Sequence, residues 1–144
     1  MAIDEVLLRT TLETLHARPT PDEAIAVIDV ARLAAAADNK SDVGEITTLV
    51  TLQKLLANMT GHEELPLSAA RIDQRRLFEI GEQLVPTGAR ELAFACAYLV
   101  MVQDLDVTAE ERKLSTALGA ALVLDPGRIE QLAAEMEALA RSFR

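Results

Sequence analysis

Hydrophobic positions recur along the chain at helical spacing, and no segment shows the period of two that a half-buried strand carries. Leu8, Leu12 and Leu15 share one face of a first helix, from about Asp4 to Ala17. "TPDE" (20–23) opens a second. Thr20 is its N-cap, Pro21 suits the first turn, and Glu23 completes a capping box by reaching back to the Thr20 amide. Its apolar positions continue through "AIAVIDVARLAAAAD" to Asp38. Asp42 is placed to cap a third helix, with Ile46, Leu49, Leu52, Leu56 and Met59 as its inward stripe. "TGHEELPL" (60–67) reads as a loop, Ser68 as the cap of a fourth helix that stops before Pro86, and Thr87 as the start of a fifth that ends near Gln103. Thr108 caps a sixth, with Leu114, Leu118 and Leu122 facing inward. Asp125 and Pro126 open a seventh, whose Ile129, Leu132, Ala133, Met136, Ala140 and Phe143 form one apolar face. The pattern predicts an all-α bundle of about seven helices, with short loops that leave neighbours antiparallel.

The fifth helix holds the longest apolar run, "LAFACAYLVMV" (92–102), whose 11 residues are too few to span a bilayer. It ends in the acids of "QDLDVTAEE" (103–111), although the C-terminus of a helix is the negative end of its dipole. The first half repeats this junction. Shifting the chain by 66 residues lays "ADNKSDVGE" (37–45) over it, so that Asp38 falls on Asp104 and Glu45 on Glu111. Each pair has the spacing Asp-x6-Glu, and each lies between an apolar helix and an amphipathic one. The expectation is a single domain, 1–144, with an internal duplication of about 20–84 and 86–142. Helices two to four then map onto five to seven.

Composition sharpens this picture. Half of the 144 residues are hydrophobic but only 3% are aromatic, namely Phe78, Phe94, Phe143 and Tyr98. The core is therefore aliphatic, which suits helices. The net charge of −9 argues against nucleic acid and anionic lipid as ligands, and in favour of cations or basic protein surfaces. Cys96 is the only cysteine, so no disulfide framework or Cys-rich metal knuckle is expected. "MAIDEVLLRT" carries acids where a signal peptide carries bases, and the expectation is a soluble, cytoplasmic protein without membrane insertion.

Two readings of the junctions stand side by side. In one, Thr108 with Glu111 and Asp42 with Glu45 are capping boxes worth about 1 kcal/mol each, and Asp38 and Asp104 bond nearby turn amides. In the other, a pseudo-twofold arrangement brings the two junctions together as hard oxygen ligands for Ca²⁺ or Mg²⁺, with Asp106 and Glu110 as weaker contributors. The spacing at 104–108 is not an EF-hand, because Ala109 stands where that loop needs Gly and Ser115 where it needs Glu. A carboxylate-bridged dimetal site would need Glu-x-x-His twice. Glu13 and His16 supply one copy and read as a surface pair, and His62 supplies no second. Cys96, inside "FACAY", reads as a small core residue rather than a nucleophile. With no Gly-rich phosphate loop either, no constellation supports an enzyme. In "RIDQRR" the cations Arg71, Arg75 and Arg76 read first as partners of the protein's own acids, and Gly81 as a point of close helix packing.

These paired junctions, the alanine-rich helices around them and the closing "LGAALVLDPGRIEQLAAEMEAL" resemble the TerB-like family, the tellurite-resistance TerB proteins and their relatives. The resemblance covers roughly residues 20–142. It implies a helical duplication and a non-enzymatic role in bacterial stress response and metal resistance, exercised through protein partners that include membrane-associated complexes. It also implies metal binding at the acidic junction positions, here Asp38, Glu45, Asp104 and Glu111. The chain departs from the family's pattern at Asn39 and Leu105, where Gly is usual, at Gly44, which replaces an acid, and at Ser41, a polar residue in an apolar position. A plain helical interaction module without metal is the competing expectation.

Overall fold

The computed structural model describes residues 3–36, 43–67, 72–103 and 109–143. Within them are seven helices and no strand: α1 (Glu5–Leu15), α2 (Pro21–Ala35), α3 (Val43–Met59), α4 (Gln74–Gln83), α5 (Thr87–Met101), α6 (Ala109–Ala121) and α7 (Pro126–Ser142). This is the all-α architecture that the hydrophobic pattern predicts.

α5 is the centre of the fold. Ala89 and every residue from Leu92 to Met101 are buried. α2 lies along it in the most extensive helix contact of the molecule, and α1, α3, α6 and α7 also rest on α5. The facing helices are rich in buried alanine, with Ala24, Ala26, Ala31 and Ala34 on α2 and Ala89, Ala93, Ala95 and Ala97 on α5. Such short side chains let helix axes approach toward the lower end of the roughly 8–10 Å range. α7 is tied to α5 by polar bonds as well: the Tyr98 hydroxyl donates to Glu137 Oε1 at 2.7 Å, and Arg128 pairs with Glu91 at 3.0 Å.

Local signals fix several helix starts as expected. The Thr20 hydroxyl accepts from the Glu23 amide at 3.1 Å while Glu23 accepts from the Thr20 amide at 2.9 Å, closing the capping box. Asp125 caps α7 by accepting from the Gly127 and Arg128 amides. The fourth helix differs from expectation. It begins at Gln74, capped by Asp73, which accepts from the Arg76 amide at 2.9 Å. Ser68 and Arg71 lie outside the described residues. Ile46 is a second correction: it is 49% exposed, so the α3 stripe turns inward only from Leu49 onward.

Arg76 explains why α4 starts where it does. Its guanidinium donates twice to Asp29 Oδ2, at 3.2 and 3.1 Å, and Arg32 reaches Asp29 Oδ1 at 3.3 Å. Asp29 is 2% exposed in the middle of α2. A buried carboxylate is tolerable only when paired and hydrogen-bonded, and two arginines meet that need while fastening α4 to α2. At Gly81 the backbone of α4 runs close against α6. A Cβ there would collide with the carbonyl oxygen of Ala121 on α6.

The 66-residue offset reappears in the helix limits. Pro21–Ala35 corresponds residue for residue to Thr87–Met101, and α3 and α6 start at Val43 and Ala109. The third helix of each half does not keep it, since Gln74 and Pro126 are only 52 positions apart. α3 and α6 close with the same C-terminal motif. His62 and Gly61 donate to the carbonyls of Ala57 and Asn58; Leu124 and Val123 donate to those of Gly119 and Ala120. The residue past the cap is left-handed in both, Gly61 at φ +83° and Val123 at φ +55°. A β-branched residue is strained in that region, by roughly 1–2 kcal/mol.

Two stability predictions follow from these features. Val123 is 71% exposed and packs little, so Val123→Gly is expected to raise stability by about 0.5–1 kcal/mol in urea unfolding; a loss would show that its side chain supports the turn. Asp29→Asn is expected to lower stability by about 3 kcal/mol, because it removes the buried carboxylate that Arg32 and Arg76 share and with it the tie between α4 and α2. A loss below about 1 kcal/mol would mean that the two arginines are satisfied without Asp29.

Candidate functional site

Glu45 stands in the first turn of α3 and Glu111 in the first turn of α6. Both are nearly enclosed, at 4% and 2% exposure. First-turn acids favour a helix N-terminus electrostatically, but that benefit does not require burial. Thr48, one turn beyond Glu45, is buried as well, and its hydroxyl donates to the side-chain oxygen of Gln103. Gln103 follows the C-terminus of α5 and immediately precedes Asp104. The opening turns of α3 therefore touch the C-terminal end of α5 directly, across 55 residues of sequence. Among the described residues the buried polar or charged side chains are Asp29, Glu45, Thr48, Gln103 and Glu111. Asp29 is engaged by its arginines; Glu45, Gln103 and Glu111 belong to the junctions, and Thr48 lies one turn beyond Glu45.

Of the candidate ligands, Glu45 and Glu111 are thus both drawn into the interior at offset-related positions. Glu110 is exposed on α6 and does not share that interior. Asp38, Asp104 and Asp106 lie outside the described residues, as do the expected caps Asp42 and Thr108. Among the described residues no group of three or more His, Cys, Asp or Glu stands together as a metal cluster. A cation held by both junctions would need the two aspartates besides the two glutamates. Sequence reasoning passed over Thr48 and Gln103. Their signal is faint: a polar residue one turn from Glu45 at helical spacing, and an amide closing an otherwise apolar run.

The histidines and several of the other chemistry-bearing side chains have structural partners. Glu13 does not pair with His16 as expected. It takes Arg9 at 2.7 Å, while His16 Nε2 lies 3.0 Å from Glu23 Oε1 in the next helix. Burial works against ionisation of Glu23, yet the Thr20 amide and hydroxyl and the imidazole of His16 outweigh it and hold the carboxyl below its usual range. His62 Nδ1 sits 3.0 Å from the Thr60 hydroxyl. Arg75 reaches Glu79 at 3.7 Å. Cys96 is buried, and burial pushes its thiol up to about 12.

No family model matches the chain, and no match is found among curated proteins or solved structures.

The environment of Cys96 gives a direct test of the interior. The thiolate is the reactive form, so a disulfide reagent at pH 8 is expected to label Cys96 only in denaturant. Labelling of the folded chain at a rate near that of a free thiol would show that α5 opens readily.

Proposed function

We propose that the chain is a non-enzymatic, TerB-like accessory of bacterial stress response and metal (tellurite) resistance, working through protein partners in the cytoplasm. On this reading it binds a divalent cation, Ca²⁺ or Mg²⁺, where its two acidic junctions meet. The observation that carries the proposal is the Thr48–Gln103 hydrogen bond. It ties the turn after Glu45 to the residue before Asp104 and so supports treating the junctions as one place rather than two. Hard cations take oxygen ligands, and carboxylate, hydroxyl and amide oxygens are what this place contains.

In this reading Asp38, Glu45, Asp104 and Glu111 hold the ion, and Thr48 and Gln103 fix the helices that carry the glutamates. Asp106 and Glu110 contribute charge from outside. The internal duplication explains why the four ligands come as two Asp-x6-Glu pairs. The partners include a membrane-associated stress complex, which the chain joins by protein contact. No described helix is long and apolar enough to cross a membrane.

A second reading, a helical interaction module without metal, is favoured by a different observation. Gly44, Glu45, Thr47, Gln103 and Glu111 all engage in further interactions, which suits a structural network that locks α3 and α6 onto α5. Thermal unfolding separates the two. Under the cation reading, Ca²⁺ or Mg²⁺ at a hundred times its Kd adds about 2.7 kcal/mol and raises Tm by roughly 8 °C over EDTA. Asp104→Asn and Glu45→Gln abolish the rise. An unchanged Tm in Ca²⁺, Mg²⁺ and Zn²⁺ would leave the metal-free module.

A further inference from the structure

The core does not use all the apolar surface of α3. Ile46 and Val50, one turn apart, are 49% and 42% exposed, and Lys54 follows one turn later on the same face. Beside this strip a groove of about 280 Å³ opens between α3 and the segment 63–67. Buried Ile28 of α2 forms its floor, and Val50, Leu65 and Leu67 form apolar walls. Exposed Glu63, Glu64 and Lys54 stand at its rim. None of the three takes part in an ion pair among the described residues.

The size of the groove argues about its occupant. It stands at the lower limit of the roughly 300–1,000 Å³ of sites that enclose small molecules, and has room for one large side chain inserted from a larger body. The exposed strip beyond it extends the apolar contact along α3 by a further turn, the footprint of a helix laid in a groove with anchors three and four residues apart. Charge selects among helices. The rim presents two glutamates against one lysine, on a chain of net charge −9. Two copies of so acidic a chain repel one another overall, whereas a basic helix is drawn in.

We propose that this groove docks a basic amphipathic helix of a partner protein. One large apolar side chain fills the space over Ile28. Its neighbours a turn away cover Val50 and Ile46, and lysines or arginines face Glu63 and Glu64. Lys54, on the opposite side of the rim, sets the direction of the helix by meeting an acidic residue. The surface rests on the reading that the chain works through partners; it is independent of the cation.

The test uses the full chain and a fluorescein-labelled 14-residue peptide of leucine and lysine at amphipathic spacing, with one central phenylalanine. A counterpart carries glutamate for lysine. Only the basic peptide is expected to bind saturably, with amide shifts at Val50, Lys54, Leu65 and Leu67. Glu63→Gln with Glu64→Gln weakens it about fivefold. Glu130→Gln with Glu135→Gln, the same change in net charge on α7, leaves affinity within about twofold. Val50→Asp, checked for folding by circular dichroism, weakens it about tenfold. Equal binding of the acidic counterpart, or equal weakening by the α7 pair, would overturn the proposal. So would saturable binding mapped elsewhere, which would dismiss this surface while keeping a partner role. Concentration-dependent shifts at Ile46 and Val50 without peptide would overturn it in favour of self-association. The cation reading is measured separately, by metal-dependent Tm, and survives any of these results.

Discussion

The contact between α2 and α5 governs where polar groups can go in this protein. Alanines bring the two helices together, and neighbours cover the remaining faces of α5, so its whole central length is buried. An unpaired polar group there would cost roughly 2–7 kcal/mol. Apart from Tyr98, whose hydroxyl reaches Glu137 of α7, and the thiol of Cys96, the polar residues of this helix stand toward its ends, where several fasten neighbouring elements. At the N-terminal end Arg90 donates to the Leu84 carbonyl and Glu91 takes Arg128 of α7. At the C-terminal end Gln103 accepts from Thr48 of α3. The same confinement places Glu45 and Glu111 where helices begin rather than along the packed faces.

Much of this was legible because it is local. The capping box of Thr20 and Glu23, the Asp125–Pro126 start and the apolar continuity of α5 depend on residues within a turn of one another. Gly81 was legible for a related reason: a glycine inside a helix has a cost that close packing offsets, and Ala121 supplies that packing. What failed depended on distant partners. Nothing near Ser68 or Asp73 in the sequence reveals that Arg76 must reach Asp29, 47 residues earlier, and that anchor sits in the turn that Asp73 caps. His16 turned from Glu13 to Glu23 because the next helix offered a carboxylate already held by a cap. Ile46 fits the helical stripe by periodicity, but at this end of α3 the covered face is the one that carries Glu45 and Thr48.

The junctions show both sides of this. Their acids and their 66-residue spacing were visible in the sequence, whereas their burial and the Thr48–Gln103 bond arise only from packing. A capping glutamate such as Glu23 keeps 15% of its side chain exposed; the junction glutamates are more enclosed than that. Enclosure raises the value of any positive charge placed beside them, since Coulomb interactions strengthen as water is excluded.

The central claim is that the two junctions act as one site. Paramagnetic Mn²⁺, added at substoichiometric amounts to the ¹⁵N-labelled chain, tests it most directly. The account expects the amides of residues 44–48 and 109–113 to broaden together, in proportion to a single bound ion, and excess Mg²⁺ to restore both. Broadening confined to one junction, or spread over exposed acids such as Glu130 and Glu135 with neither junction affected, would contradict it.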